Sequence, residues 1–182
     1  MLRFWWIIKR FFGNPIQISV NVSYFIFNYA GYGGAIAIFT SFSQHECHTA
    51  IKRSTFSNNN AHNSGGAIFL SSNNQSVLIL QTVTMDSNRA HLYGGAVQVK
   101  SFFALKVDQS RFSNNTAGTS VGGAFSVNSE HTCHVTIGRS IFLNNIANAE
   151  GGAIAIYGNS KTVGQPGLNK TKKKVSLSSF NQ

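Results

Sequence analysis

One pattern recurs five times in this chain and decides most of what it can fold into. Each copy has a large apolar anchor, an asparagine three positions later, an alanine five positions later, and then Gly-Gly-Ala. The first is Phe25, Asn28, Ala30, Gly33, Gly34 and Ala35, and the second is Phe56, Asn59, Ala61, Gly65, Gly66 and Ala67. The third is Met85, Asn88, Ala90, Gly94, Gly95 and Ala96. The fourth is Phe112, Asn115, Ala117, Gly122, Gly123 and Ala124, and the fifth is Phe142, Asn145, Ala147, Gly151, Gly152 and Ala153. Successive anchors are about 30 residues apart, a period typical of solenoids.

The residues around each copy alternate. After the glycine pair come Ile36 and Ile38, Ile68 and Leu70, Val97 and Val99, Phe125 and Val127, Ile154 and Ile156. Before the anchor come Ile18 and Val20, Leu78 and Leu80, Leu105 and Val107, Val135 and Ile137, while the second copy keeps Thr49 and Ile51. A period of two with one apolar face is a β-strand. Each period therefore holds about three short strands (pre-anchor, anchor, post-glycine) separated by corners. One such unit cannot bury its apolar edge, so the units must stack about 4.8 Å apart.

Stacking assigns roles to the repeated residues. The anchors form an internal column, and the asparagines form a ladder of side-chain amides at a corner, where Asn also tolerates left-handed backbone. Gly-Gly marks a second corner that needs positive φ or a close backbone approach. These residues read as structural, since every coil carries them. The expected fold is all-β: a right-handed parallel β-helix of about five coils over residues 16–157. Segment 1–15 is read as a basic and aromatic stretch, either a short amphipathic helix capping the fold or an internal stretch of a longer gene. Residues 158–174 are read as a basic exposed loop that could also fold over the end as a cap, and 175–182 as the start of an incomplete further coil, so that a fragment of a larger protein is expected, with neighbouring coils of a longer solenoid as partners.

Composition agrees. Of 182 residues, 42% are hydrophobic but only 11% charged, with 17 Gly and 2 Pro. That excludes simple disorder and charged helical bundles, because amide and hydroxyl side chains fill the polar positions. The net charge of +10 suggests nucleic acid until it is located. Arg3, Lys9 and Arg10 precede the repeats, and Lys161, Lys170, Lys172, Lys173 and Lys174 follow them, so the body is close to neutral. No specific nucleic-acid surface is expected. No apolar stretch reaches the ~18 residues of a membrane span, and the apolar run Phe4–Ile8 is too short for a signal peptide.

The segments 56–68 and 142–154, Phe-Ser-Asn-Asn-Asn-Ala-His-Asn-Ser-Gly-Gly-Ala-Ile and Phe-Leu-Asn-Asn-Ile-Ala-Asn-Ala-Glu-Gly-Gly-Ala-Ile, resemble the repeat of the chlamydial polymorphic outer membrane proteins. That family carries F-x-x-N and G-G-A-I motifs, and similar repeats occur in surface proteins of some eukaryotes. The resemblance spans about residues 18–157. It implies a right-handed β-helix passenger at the cell surface or outside the cell, used for adhesion or display, with host-cell or matrix protein or glycan as partner. Met85, Val97 and Phe125 depart from the motif, and the family's C-terminal barrel is not in this chain.

Catalysis and metal binding find little support. The rival reading is a carbohydrate-active β-helix, which needs two carboxylates about 5–9.5 Å apart. Only Glu46, Asp86, Asp108, Glu130 and Glu150 are acidic, with Asp86 and Asp108 at different offsets from their anchors. Such an enzyme would need its acidic site outside this segment. Cys47 and Cys133 each lie nine residues before an anchor, within His45-Glu-Cys-His48 and His131-Thr-Cys-His134. Three coils separate them, about 14 Å, too far for a disulfide or a shared ion. Each motif offers at most three zinc ligands, and an offset duplication explains the likeness; no cofactor is expected. Binding is then expected in the variable loops 39–48, 71–76, 100–104 and 157–173, with Phe102, Phe103 and outward Phe69 as candidate contacts. Sequons stand at Asn21, Asn74, Asn114 and Asn169.

Overall fold

A computed structural model describes residues 6–9, 16–40, 46–72, 76–101, 104–164 and 174–177. They form a parallel β-solenoid. The anchor strands Tyr24–Ile26, Thr55–Ser57, Thr84–Asp86, Arg111–Ser113 and Ile141–Leu143 make one five-stranded sheet. Pre-anchor and post-glycine strands build two further stacks. They merge into one sheet because Phe125–Gly138 runs unbroken from a post-glycine strand into the next pre-anchor strand.

Register is set by the apolar alternation. Ile18, Thr49, Leu78, Leu105 and Val135 lie in one cross-strand row, and Val20, Ile51, Leu80, Val107 and Ile137 in another. Ile36, Ile68, Val97, Phe125 and Ile154 form a third. A slip by one residue would turn each row outward, so burial holds the register. A fourth short strand per period lies between the ladder asparagine and the glycines: Tyr29–Tyr32, Asn60–Ser64, Arg89–Ala90, Thr116–Ala117 and Ile146–Ala147. The sequence pattern hides it because its inward residue is only an alanine, such as Ala61 or Ala90, and alanine gives little apolar contrast.

Three left-handed residues turn each coil. Val22, Arg53, Thr82, Gln109 and Arg139 take positive φ three residues before the anchor, and Phe27, Asn58, Ser87, Asn114 and Asn144 two residues after it. The expectation that the ladder asparagine itself is left-handed is therefore corrected. In Asn58-Asn59, Asn114-Asn115 and Asn144-Asn145 the first residue makes the turn and the second enters the ladder. The third corner divides its demands between two glycines. Gly65 has φ +67, whereas a Cβ on Gly66 would lie under 3.0 Å from the Gly95 carbonyl of the next coil. The pairs Gly33-Gly34, Gly94-Gly95 and Gly122-Gly123 divide the same way.

Both ends differ from expectation. Trp6–Lys9 is a strand, not a helix, and pairs in parallel with Ile36–Phe39 to add a rung below the first coil. Its Trp and Ile residues suit a strand, and the open edge supplies backbone partners. At the other end the strand Ile154–Gly164 continues through the first part of the expected loop. Lys174–Leu177 does not begin a parallel coil; it pairs antiparallel with Ile154–Tyr157 and covers that edge.

Candidate binding surface

The interior accounts for the repeated residues. Asn28, Asn59, Asn88, Asn115 and Asn145 are all buried. Each Nδ2 donates to the next Oδ1, at 2.8 Å for Asn28 to Asn59, 2.9 Å for Asn59 to Asn88, 3.0 Å for Asn88 to Asn115 and 2.9 Å for Asn115 to Asn145. The same Oδ1 atoms accept the backbone N–H of the asparagine below, and Asn88 Nδ2 also donates to the Phe56 carbonyl at 3.0 Å. Both amide hydrogens of Asn88 are thus used, so an acid at this position would lack the donors.

The anchors stack beside the ladder. Phe25 and Phe56 lie face to face with centroids 4.7 Å apart, and Phe112 and Phe142 with centroids 4.8 Å apart. Met85, fully buried, fills the row between those pairs. Gly33, Gly94, Gly122 and Gly151 share the positive φ of Gly65, and Gly34, Gly95 and Gly123 share the crowding of Gly66.

A second ladder escaped the sequence reading. Ser54, Ser110 and Ser140 accept the backbone N–H of Ser23, Val83 and Ser110 respectively, each at 3.1 Å. Serine two residues before the anchor in four copies was the available signal; Val83 replaces it in the third.

The reactive side chains are spent on local contacts. Cys47 and Cys133 are free, buried thiols facing the core, and burial raises both pKa values, which disfavours the thiolate. His48 bonds Glu46 at 3.0 Å, while His45 and the His131 side chain lie outside the described residues. No group of three potential metal ligands occurs among the described residues. Asp108 is held below the usual carboxylate range first by its bond to Arg139, 2.7 Å away. Burial opposes ionisation of Asp86, but bonds from Ser113, Ser87 and Asn114, with the charge of Arg111, together lower its pKa. Asp86 belongs to the third anchor strand and Asp108 ends the fourth pre-anchor strand opposite Gln81, so the two carboxylates sit on different strands of successive coils.

The outer surface varies while the interior repeats. The row Tyr24, Thr55, Thr84, Arg111 and Ile141 changes residue at every step but one, and the row Tyr29, Asn60, Arg89, Thr116 and Ile146 at every step. In the first coil Val22, Tyr24, Phe27 and Tyr29 are all more than half exposed. Phe69, expected outside, is buried against Tyr32 and Phe39 at centroid distances of 4.8 and 5.2 Å. Phe102 and Phe103, half of each of the loops 39–48 and 71–76, and residues 165–173 lie outside the described residues, as do Asn74 and Asn169. Asn21 and Asn114 are exposed. No helix among the described residues is long and apolar enough to cross a membrane.

No curated protein and no solved structure matches the chain. Residues 53–71 and 139–159 match the family model described as the Chlamydia polymorphic membrane protein repeat, so in these two segments the solenoid is similar to repeats of that family.

Proposed function

We propose that this chain is a non-catalytic adhesion or display module of a cell surface or the extracellular space. The observation that carries the reading is the contrast between columns: a uniform interior of anchors, amides and glycines supports outer rows that differ from coil to coil. A scaffold of this kind presents a long surface whose chemistry can change without disturbing the fold. The matched repeats come from a membrane-protein family, which agrees with a surface setting. The partner is a host-cell or matrix protein or a glycan, met by exposed side chains.

The test is adherence of beads coated with the folded chain to cultured cells. Adherence above beads coated with an unrelated β-solenoid, lost when the coat is denatured, is the expected result. Equal adherence of the two coats would overturn the proposal.

A further inference from the structure

The first coil has a different rim from the coils that follow it. Val22 and Phe27 turn the corners on either side of its anchor strand, Tyr24 begins that strand and Tyr29 begins the next, and all four are more than half exposed. The same positions in the second coil hold Arg53, Thr55, Asn58 and Asn60, and those of the third and fourth coils are polar too. The fifth mixes Arg139 and Asn144 with Ile141 and Ile146. The anchor sheet and the fourth-strand sheet both end at the first coil, so the apolar band lies at one end of the described solenoid.

Shape and charge decide what such a band meets. It is one strand thick, about 4.8 Å, and Val22 to Tyr29 reach at most about 23 Å along the chain. A stable protein partner covers about 800 Å², several times the area of this band. A lipid surface asks for less, because apolar side chains enter its headgroup boundary only about 5–10 Å deep. Tyrosine suits that depth, with an apolar ring and a polar tip. Lys52 lies opposite Asn21, and Arg53 Nε donates to Asn21 Oδ1 at 3.2 Å, which sets both cations beside the corner at Val22. Glu46 stands at the other end of that pre-anchor strand, bonded to His48, and Asp86 lies two coils further on. Over residues 1–60 the cations Arg3, Lys9, Arg10, Lys52 and Arg53 are offset by no acid but Glu46. Cations bordering an exposed aromatic band match a surface of anionic lipid.

We propose that the solenoid stands on an anionic lipid surface by its first coil. Val22, Tyr24, Phe27 and Tyr29 enter the headgroup boundary, and Lys52 and Arg53 meet the lipid phosphates one coil behind. The polar rims of the second to fourth coils stop deeper entry, because their charged and amide side chains keep to water. This contact goes beyond the adhesion reading and holds or fails without it.

The test is flotation of the whole chain with large unilamellar vesicles of phosphatidylcholine, with and without about 30 mol% phosphatidylglycerol. The parent binds the anionic vesicles. The triple variant Tyr24→Thr, Phe27→Asn, Tyr29→Asn, which gives these positions the residues of the second coil, binds them at least about tenfold more weakly. Its melting temperature stays level or rises, since all three positions are exposed and Phe27 gives up a left-handed φ, which separates lost binding from lost folding. Thr116→Ala, in the same row as Tyr29 but on the fourth coil, leaves binding unchanged. The lipid contact is overturned if the chain does not float with anionic vesicles, if it floats equally with neutral ones, or if the triple variant floats as the parent does. It is also overturned if neither form floats and sedimentation finds a dimer that the triple variant abolishes, which seats a second copy on the rim instead. Flotation without cell adherence upholds the lipid contact and overturns the adhesion module. Adherence without flotation does the reverse.

Discussion

The first coil and the third are built on one plan and exposed to different surroundings. In the third, Asn88 is tied to Asn59 below and Asn115 above, and Met85 sits between two phenylalanine-anchored coils. In the first, Phe25 stacks on Phe56 and Val22, Tyr24, Phe27 and Tyr29 face solvent. The equivalents in the third coil are Thr82, Thr84, Ser87 and Arg89, all polar. Stability in a stacked repeat is a sum over neighbours, so a change in the third coil is felt on two sides. The lesson is that inside positions answer to the coils above and below, whereas outside positions answer to whatever the surface meets.

The sharpest way to break this contrast is a methyl group between coils. Gly66→Ala sets a Cβ against the Gly95 carbonyl and the Arg89 backbone, and costs on the order of 4 kcal/mol or leaves the chain unfolded. Gly31→Ala, in the first coil, meets nothing within 4 Å and changes stability by less than about 0.5 kcal/mol. Urea titration of both variants checks the pair, and equal losses would refute the close-approach account.

The ladder comes next. Asn88→Ala removes the acceptor for two Asn59 donors and the donor to the Phe56 carbonyl, which should cost about 3 kcal/mol. Asn28→Ala removes the Nδ2 bond to Asn59 Oδ1 but keeps the backbone N–H that also donates to it, and should cost about half as much or less by the same measure. Met85→Ala should cost about 2–5 kcal/mol by opening a cavity, whereas Met85→Phe conserves the column and stays within about 1.5 kcal/mol.

Acid separates the outer charges from the inner amides. Asp86 and Asp108 have depressed pKa values in the fold. Their stabilisation is present above the unfolded carboxylate value of about 3.9 and is lost as pH falls through the lower folded values. Melting temperature should therefore drop below about pH 4, and Asp86→Asn should flatten that drop. The smallest effect is in the first coil, where Phe27 has φ 56 at a position that holds Asn in three other coils. Phe27→Asn should gain up to about 1 kcal/mol, seen as a modest rise in melting temperature.

The stacked parallel fold was legible because anchors, asparagines and glycine pairs recur, and recurrence survives one departure such as Met85. The alanine-lined fourth strand was not, because Ala61 and Ala90 look alike in strand and turn. Neither was the rung Trp6–Lys9, which has no Gly-Gly-Ala before it and pairs only because an edge is open. The serine ladder could have been read from Ser23, Ser54, Ser110 and Ser140. The small cavity at Tyr93, Gln98 and Tyr157 could not, since these residues become neighbours only when coils stack and the repeat says nothing of outward residues.

The central claim is that equivalent residues of successive coils lie one β-spacing apart along a single axis. Spin labels at Tyr24→Cys and Ile141→Cys test it directly, because these positions begin the first and fifth anchor strands while Cys47 and Cys133 are buried from the reagent. Pulsed electron resonance should give one narrow distance near 19 Å, four steps of about 4.8 Å. A broad distribution, or a mean beyond about 30 Å, would contradict the stacked solenoid and every role derived from it.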